Sequence, residues 1–77
     1  MILDEIIEIA KGFADEELEL DWSEYTSILL DMELTSMEFF SFISEIEHAF
    51  DLKIKNREMN RIETLGDIAD IVESRRE

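Results

Sequence analysis

Apolar residues near the start of the chain recur at intervals of three and four positions. The residues that follow this spacing are Ile2, Leu3, Ile6, Ile7, Ala10, Phe13 and Ala14. Such a period places them on one face of an α-helix. Asp4, Glu5 and Glu8 fall in the first turns, where negative charge is favourable. The pattern therefore predicts an amphipathic helix over residues 2–14.

Between residues 15 and 34 the apolar spacing is looser. Leu18 and Leu20 alternate with acids, and the apolar residues that follow are Trp22, Tyr25, Ile28, Leu29, Leu30 and Met32. We expect a long loop that these apolar residues anchor to the core. Asp21 and Glu24 have the spacing of a helix cap, which predicts one helical turn after Asp21. A connection of this length is usually either functional or contains an element that the pattern does not show.

The segment Thr35-Ser-Met-Glu38 has the S/T-x-x-E pattern of a capping box. In such a box the Thr35 hydroxyl accepts from the Glu38 amide, while the Glu38 carboxylate accepts from the Thr35 amide. The box predicts a helix II that begins at Ser36 and runs to about residue 50. Because Thr35 and Glu38 provide the cap, Ser36 is not needed for it.

The last third of the chain predicts one short helix and one longer one. A turn of helix is expected over residues 56–61. A second box, from Thr64 to Asp67, precedes a helix that runs to the basic end Arg75-Arg76. With no proline and two glycines, the predicted fold class is all-α. We expect a small four-helix bundle in a single domain over 1–77, with three main helices, a short helix III, and a long loop between helices I and II.

Each residue of an α-helix is rotated by about 100° from the one before it. This rotation places the apolar residues of the predicted helix II on two sides. The core face contains Phe39, Phe42, Ile43, Ile46, Ala49 and Phe50. Met37 and Phe40 lie on the other side of Ser36, near Ser44 and Glu47. Either Met37 and Phe40 tuck under the preceding loop, or they form an exposed patch that binds a partner protein with a basic rim.

Charge is distributed unevenly within a net charge of -14. Residues 1–51 hold 15 acids and one base, whereas residues 52–77 hold six of each. Such a field repels nucleic acid and anionic lipid and attracts basic protein surfaces. We therefore expect protein partners, no nucleic acid and a monomer. The absence of cysteine, of a basic signal segment and of a long apolar run predicts a cytoplasmic protein without a membrane partner.

No catalytic or metal site is predicted. The only histidine, His48, is twelve positions from Ser36, about 18 Å along a helix, so it cannot activate that serine. The alternating acids after Asp15 lack the glycine and glutamate that a calcium loop requires, since Leu20 and Thr26 occupy those positions. Any reaction at Ser36 therefore needs a base from another protein.

The run Asp31-Met-Glu-Leu-Thr-Ser36-Met37 resembles the D-L-G-x-D-S-L segment before helix II of the acyl carrier protein family. The resemblance continues through Ile46-Glu47 and Thr64-Leu65 to a final helix. It covers nearly the whole chain and is most specific over residues 31–68. It implies that Ser36 binds the cofactor 4'-phosphopantetheine, which a phosphopantetheinyl transferase attaches from coenzyme A. The arm would carry acyl groups as thioesters to acyl-transferring or synthase enzymes of fatty-acid, polyketide or related auxiliary pathways, and the core could shelter the acyl chain. The partner-binding residues would be Met37, Glu38, Phe40, Ser44 and Glu47.

Three residues depart from the family pattern. Thr35 stands in place of an aspartate and so removes a negative charge beside the attachment serine. Glu33 stands in place of a glycine, so the turn before helix II lacks a residue that adopts positive φ easily. Lys55 replaces a common proline. These differences favour a specialised carrier and leave an alternative open, an unmodified carrier-like module that acts as a subunit or scaffold through acidic helix II.

Overall fold

The computed structural model describes residues 1–75 as an all-helical fold with four helices. They are α1 (Ile2–Lys11), α2 (Ser36–Phe50), α3 (Asn56–Met59) and α4 (Leu65–Arg75). The predicted order is confirmed, with a short third helix and a long connection between α1 and α2. None of the helices in residues 1–75 has the length and apolarity needed to cross a membrane.

Helix α1 is shorter than the predicted 2–14, because it ends at Lys11. The Gly12 amide bonds back to the Ile9 carbonyl at 3.1 Å, which tightens the final turn. Phe13 then leaves the helix and packs on Phe42, with the ring centroids 5.7 Å apart. Phe13 is therefore apolar because it contacts Phe42 across the bundle. Its position in the sequence happens to fit the helical spacing, which is why a longer helix was predicted.

The α1–α2 connection is anchored by fewer apolar residues than the sequence predicted. Ile28 and Met32 are each only 1% exposed and hold the loop to the core. Tyr25, Leu29 and Leu30 are 78%, 66% and 82% exposed, so the expectation that they are anchors is wrong. Residues four apart in a helical turn share one side, so burying positions 28 and 32 turns the residues between them outward.

The predicted cap at Asp21 is also wrong, because no helix follows Asp21 in this described segment. The turn is built two residues later. The Thr26 hydroxyl accepts from the Ser23 amide at 2.9 Å, and the Ser23 hydroxyl accepts from the Tyr25 amide at 3.0 Å. These two hydroxyls satisfy the local backbone without a helix.

The connection is joined to the start of α4 by backbone hydrogen bonds. They run from Ile28 N to Glu63 O at 3.0 Å, from Leu65 N to Thr26 O at 3.1 Å, and from Gly66 N to Glu24 O at 2.8 Å. The last contact requires glycine, since a Cβ on Gly66 would lie 2.8 Å from the Glu24 carbonyl oxygen. The middle of the long loop, from Glu24 to Ile28, is thus fixed to the start of α4.

The cap of α4 is the second predicted box, with aspartate in the glutamate position. The Thr64 hydroxyl accepts from the Asp67 amide at 3.3 Å. The Asp67 carboxylate accepts from the Glu63 amide at 2.8 Å and from the Thr64 amide at 3.0 Å. These two bonds lower the pKa of Asp67, the Glu63 bond most. Helix α4 reaches Arg75, and the predicted Arg76 lies outside the described residues.

Helix α3 ends at Met59, before the predicted residue 61. The backbone continues as turns, with Arg61 N bonded to Glu58 O at 3.0 Å. An ion pair between Glu58 and Arg75 joins α3 to the last turn of α4. The hydrogen bond from Arg75 is the main cause of a lowered pKa at Glu58, followed by the Lys55 amide, which donates to the same carboxylate.

The hydrophobic core lies where α1 packs against both α4 and α2. The buried residues of the helices are Ile6, Ala10, Phe42, Ile43, Ile46, Leu65, Ile68, Ala69 and Val72. On α2, Phe39 and Phe50 are half-buried against this core, as expected of its inner face. Ala49, predicted to be on that face, is exposed. The apolar arc of α2 is therefore narrower at its C-terminal end than the helical rotation suggested.

Candidate functional site at the start of helix α2

The predicted capping box at the start of α2 is confirmed. The Glu38 amide donates to the Thr35 hydroxyl at 3.2 Å, and the Thr35 amide donates to the Glu38 carboxylate at 2.9 Å. Ser36 is the first helical residue and is exposed. Within residues 1–75 its hydroxyl makes no hydrogen bond with the protein. The structure thus presents Ser36 to solvent without using it as a cap.

The turn before the box adopts a left-handed conformation at Glu33, whose φ is 56°. Met32 and Leu34, on either side, are buried at 1% and 6% exposure. Their burial holds the chain in a conformation that a residue with a Cβ adopts reluctantly. The turn therefore keeps the positive φ that glycine would favour, although glutamate occupies the position.

The outer face of α2 carries the exposed apolar residues that the rotation predicted. Met37 is 81% exposed and Phe40 is 58% exposed, so they are not satellite core under the loop. Phe40 is partly supported by Phe39, whose ring lies 5.7 Å away, centroid to centroid. Exposed apolar side chains in a cluster are typical of an interaction surface.

A cavity of about 240 Å³ opens beside Ser36, between α2, the α1–α2 loop and the α3 region. Its lining residues are Ile28, Leu29, Ser36, Phe39, Phe40, Met59 and Ile62. Ser36 is the only polar side chain among them. Leu29, Met59 and Ile62 were not predicted at this site, because the spacing within one element does not show which loops meet it.

The remaining predicted site residues lie elsewhere on α2. Ser44 and Glu47 border a larger surface groove of about 710 Å³, which also contains Glu45 and His48. That groove is lined mainly by polar and charged groups and does not include Ser36. The Glu47 carboxylate accepts from the Ile54 amide at 2.8 Å. Glu47 therefore fixes the chain after α2, a contact that the sequence analysis missed.

Within residues 1–75 no side chain that could act as a base is hydrogen-bonded to the Ser36 hydroxyl. His48 is exposed on the same helix, twelve residues on, which corresponds to about 18 Å. Within residues 1–75 no group of three or more potential ligands could hold a metal ion. The site is thus an accessible hydroxyl at a helix start, next to an apolar cavity.

Comparison with known proteins identifies the family of the chain. The family described as the phosphopantetheine attachment site matches residues 4–72. An acyl carrier protein of Streptococcus pneumoniae serotype 4 is 43% identical over 60 residues, which are 75% of this chain and 78% of the relative. An acyl carrier protein of Borreliella burgdorferi is 29% identical over 76 residues, 95% of each chain.

The chain belongs to the acyl carrier protein family, whose members carry a phosphopantetheine group and are not enzymes. The fold agrees. The structure of a proposed acyl carrier protein from Mycobacterium tuberculosis superposes with a TM-score of 0.77 and 24% identity, covering 96% of this chain and 97% of that one.

The residues at the start of α2 fit 4'-phosphopantetheine. The exposed Ser36 hydroxyl would supply the oxygen for a phosphodiester. The free amides and positive dipole end of α2 lie beside it and favour the negative charge of a phosphate. The apolar cavity adjoining Ser36 offers a surface for the chain beyond that phosphate.

Proposed function

We propose that this chain carries acyl groups as thioesters on a 4'-phosphopantetheine arm attached to Ser36, in the cytoplasm and as a monomer. It delivers them to enzymes of fatty-acid, polyketide or a related auxiliary pathway. The observation that carries the proposal is the exposed Ser36 hydroxyl, which the Thr35–Glu38 box leaves free at the first position of α2. The arm, once attached, supplies the thiol that the chain itself lacks.

Loading of Ser36 is a phosphoryl-transfer reaction on coenzyme A. The Ser36 oxygen forms a bond to the phosphorus next to pantetheine, the pyrophosphate P–O bond breaks, and adenosine 3',5'-bisphosphate leaves. The hydroxyl proton passes to a base of the phosphopantetheinyl transferase, since His48 is too distant. The role of this chain is to present the oxygen, with the dipole of α2 favouring the phosphate.

Docking onto partner enzymes uses the outer face of α2. Met37 and Phe40 provide exposed apolar contacts, while Glu38 and Glu47 add negative charge, and Ser44 is a small exposed residue between them. Partner enzymes with basic docking surfaces complement this face. The carboxylates of Glu38 and Glu47 both accept backbone hydrogen bonds, so they are held in position before a partner binds.

The cavity beside Ser36 supports partial shelter of a bound acyl chain. Its volume of about 240 Å³ is below the roughly 300–1,000 Å³ of typical ligand sites. We infer that it receives only the first part of a long chain unless the α3 region moves outward. A short acyl group would fit without such movement.

The experiment is incubation with a broad-specificity phosphopantetheinyl transferase and coenzyme A, followed by intact mass measurement. The wild-type chain should gain one phosphopantetheine, and Ser36→Ala should gain none. Ser41→Ala is the matched control, because Ser41 is also an exposed serine of α2; it should be modified like the wild type. An unchanged wild-type mass with several transferases would contradict the proposal.

The second candidate is an unmodified binding module, favoured by the exposure of Met37 and Phe40 in the bare chain. In that case the unmodified protein already binds a partner enzyme stably. Ser36→Ala would then leave unchanged the dissociation constant of the complex between this chain and that partner enzyme, as measured by calorimetry. Binding that requires the loaded arm would contradict this second function.

A further inference from the structure

The segment from Ser27 to Met32 is a fixed turn. The Asp31 carboxylate accepts from the Ser27 amide at 2.7 Å, and the Ser27 hydroxyl accepts from the Leu30 amide at 3.1 Å. The Asp31 and Met32 amides both donate to the Ser27 carbonyl at 3.0 Å. Ile28 and Met32 are buried at its two ends. Four hydrogen bonds and two buried side chains therefore hold this turn in one conformation.

Two leucines project from this turn into solvent. Leu29 is 66% exposed and Leu30 is 82% exposed. A mobile loop could bury such residues by collapsing, but this turn is held by its own hydrogen bonds. Exposed apolar residues on a rigid support lose little entropy when a partner covers them. The arrangement is that of a preformed contact surface.

The leucine turn adjoins the attachment site. Leu29 lines the same cavity as Ser36 and Phe40. An enzyme that brings a phosphorus atom to the Ser36 oxygen approaches this cavity, and Leu29 lies in the cavity lining within its reach. The apolar surface therefore continues across the cavity, from Phe40 and Met37 on α2 to Leu29 and Leu30 on the loop.

On its loop and α2 sides this surface is bordered by negative charge, whereas exposed Arg57 and Arg61 lie close in sequence to Met59 and Ile62 on the α3 side. Asp31, Glu33 and Glu38 are all exposed beside it, and the chain contains no lysine or arginine between Lys11 and Lys53. A second copy of the chain would bring the same negative charge to the contact. A partner with an apolar centre and a rim of lysine or arginine matches it instead.

We propose that Leu29 and Leu30 form a second docking contact, used by the enzyme that transfers phosphopantetheine to Ser36. The contact rests on the proposed function and adds to it, because it places recognition on the loop as well as on α2. The enzyme's matching surface is an apolar patch bordered by lysine or arginine. The two leucines bind and orient the carrier, and they take no part in the transfer itself.

The test is the steady-state rate of loading by a broad-specificity phosphopantetheinyl transferase with saturating coenzyme A. The double variant Leu29→Gln/Leu30→Gln should raise the KM for the carrier about tenfold and change kcat little. A tenfold change is about the effect of removing one well-buried interface anchor. Ala49→Gln is the control, an exposed neutral change on the opposite side of α2 from Phe40; it should match the wild type. Melting curves of all three proteins should coincide, since neither leucine is in the core.

A charge comparison sharpens the result. Leu30→Arg should raise KM more than Leu30→Glu, because an arginine faces the basic rim of the enzyme. Equal KM values for the wild type and the double variant would overturn the inference. A wild-type dimer that dissociates in the double variant would also overturn it, by assigning the surface to a second copy. A wild type that accepts no phosphopantetheine would instead refute the proposed function, and the docking contact with it.

Discussion

Replacing Glu33 by glycine should stabilise the protein. Glu33 has a φ of 56°, in the left-handed region that costs a residue with a Cβ about 1–2 kcal/mol. Glycine removes that cost but loses more backbone entropy on folding, about 0.5–1 kcal/mol. The net gain is therefore about 0–1.5 kcal/mol, and the middle of the two ranges gives about 0.75 kcal/mol. For a domain of this size that middle value should raise the melting temperature by roughly 3–6 °C.

The assay is thermal and urea unfolding followed by far-ultraviolet circular dichroism, with Glu33→Ala as the matched control. Alanine removes the same carboxylate from a chain of net charge -14 but keeps the Cβ. The stability difference between Glu33→Gly and Glu33→Ala therefore isolates the backbone conformation from the change in charge. Asp51 has a φ of 53°, and Asp51→Gly should gain less, because aspartate tolerates this region better than glutamate does.

A glycine variant no more stable than the alanine variant would contradict the prediction for Glu33. That result would mean that the turn before α2 does not hold position 33 in the left-handed region in solution. A gain shared equally by both variants would assign the effect to relief of charge repulsion.

Three further predictions concern the contacts that fix the loops. Gly66→Ala should destabilise the fold by about 1–3 kcal/mol in urea unfolding, because the new Cβ would lie 2.8 Å from the Glu24 carbonyl oxygen; an unchanged midpoint would contradict that contact. Asp67→Asn should cost about 1 kcal/mol at pH 7, since the carboxylate accepts two backbone amides. The folded pKa of Asp67 is lowered, so its stabilisation is present above the unfolded pKa and is lost as the pH falls through the lower folded value. The gap from wild type should narrow below about pH 4, and a gap independent of pH would refute this. Glu47→Ala should cost about 1 kcal/mol, while Glu47→Gln, which keeps an acceptor for the Ile54 amide, should cost less; equal losses in hydrogen-exchange protection at residue 54 would contradict the difference.

Local rules predicted the parts of the fold that depend on neighbouring residues. The boxes at Thr35 and Thr64 need only a hydroxyl and an acid three positions apart, so sequence spacing identifies both. The faces of α2 near Ser36 follow from helical rotation, and the exposure of Met37 and Phe40 agrees with it. The start of α2 was predictable for this reason, whereas Ser36 as the attachment residue was predicted from the resemblance to the acyl carrier protein family.

Contacts between distant segments were not predictable in the same way. Phe13 is held by Phe42 across the bundle, so its apolar character was misread as a continuation of α1. Leu29 and Leu30 were expected to be anchors, because the sequence alone does not show that Ile28 and Met32 already fill the space beneath the turn. The Glu47 contact with Ile54 depends on how the chain leaves α2, which no local pattern encodes.

The central claim is that Ser36 is the attachment point, and the most direct measurement is localisation of the modification by mass spectrometry. After loading, the chain is cleaved and the peptides spanning α2 are fragmented. The account predicts phosphopantetheine on Ser36 alone, although Thr35 and Ser41 are also exposed hydroxyl residues nearby. Modification of Thr35 or Ser41 instead, or undiminished loading of Ser36→Ala, would contradict it.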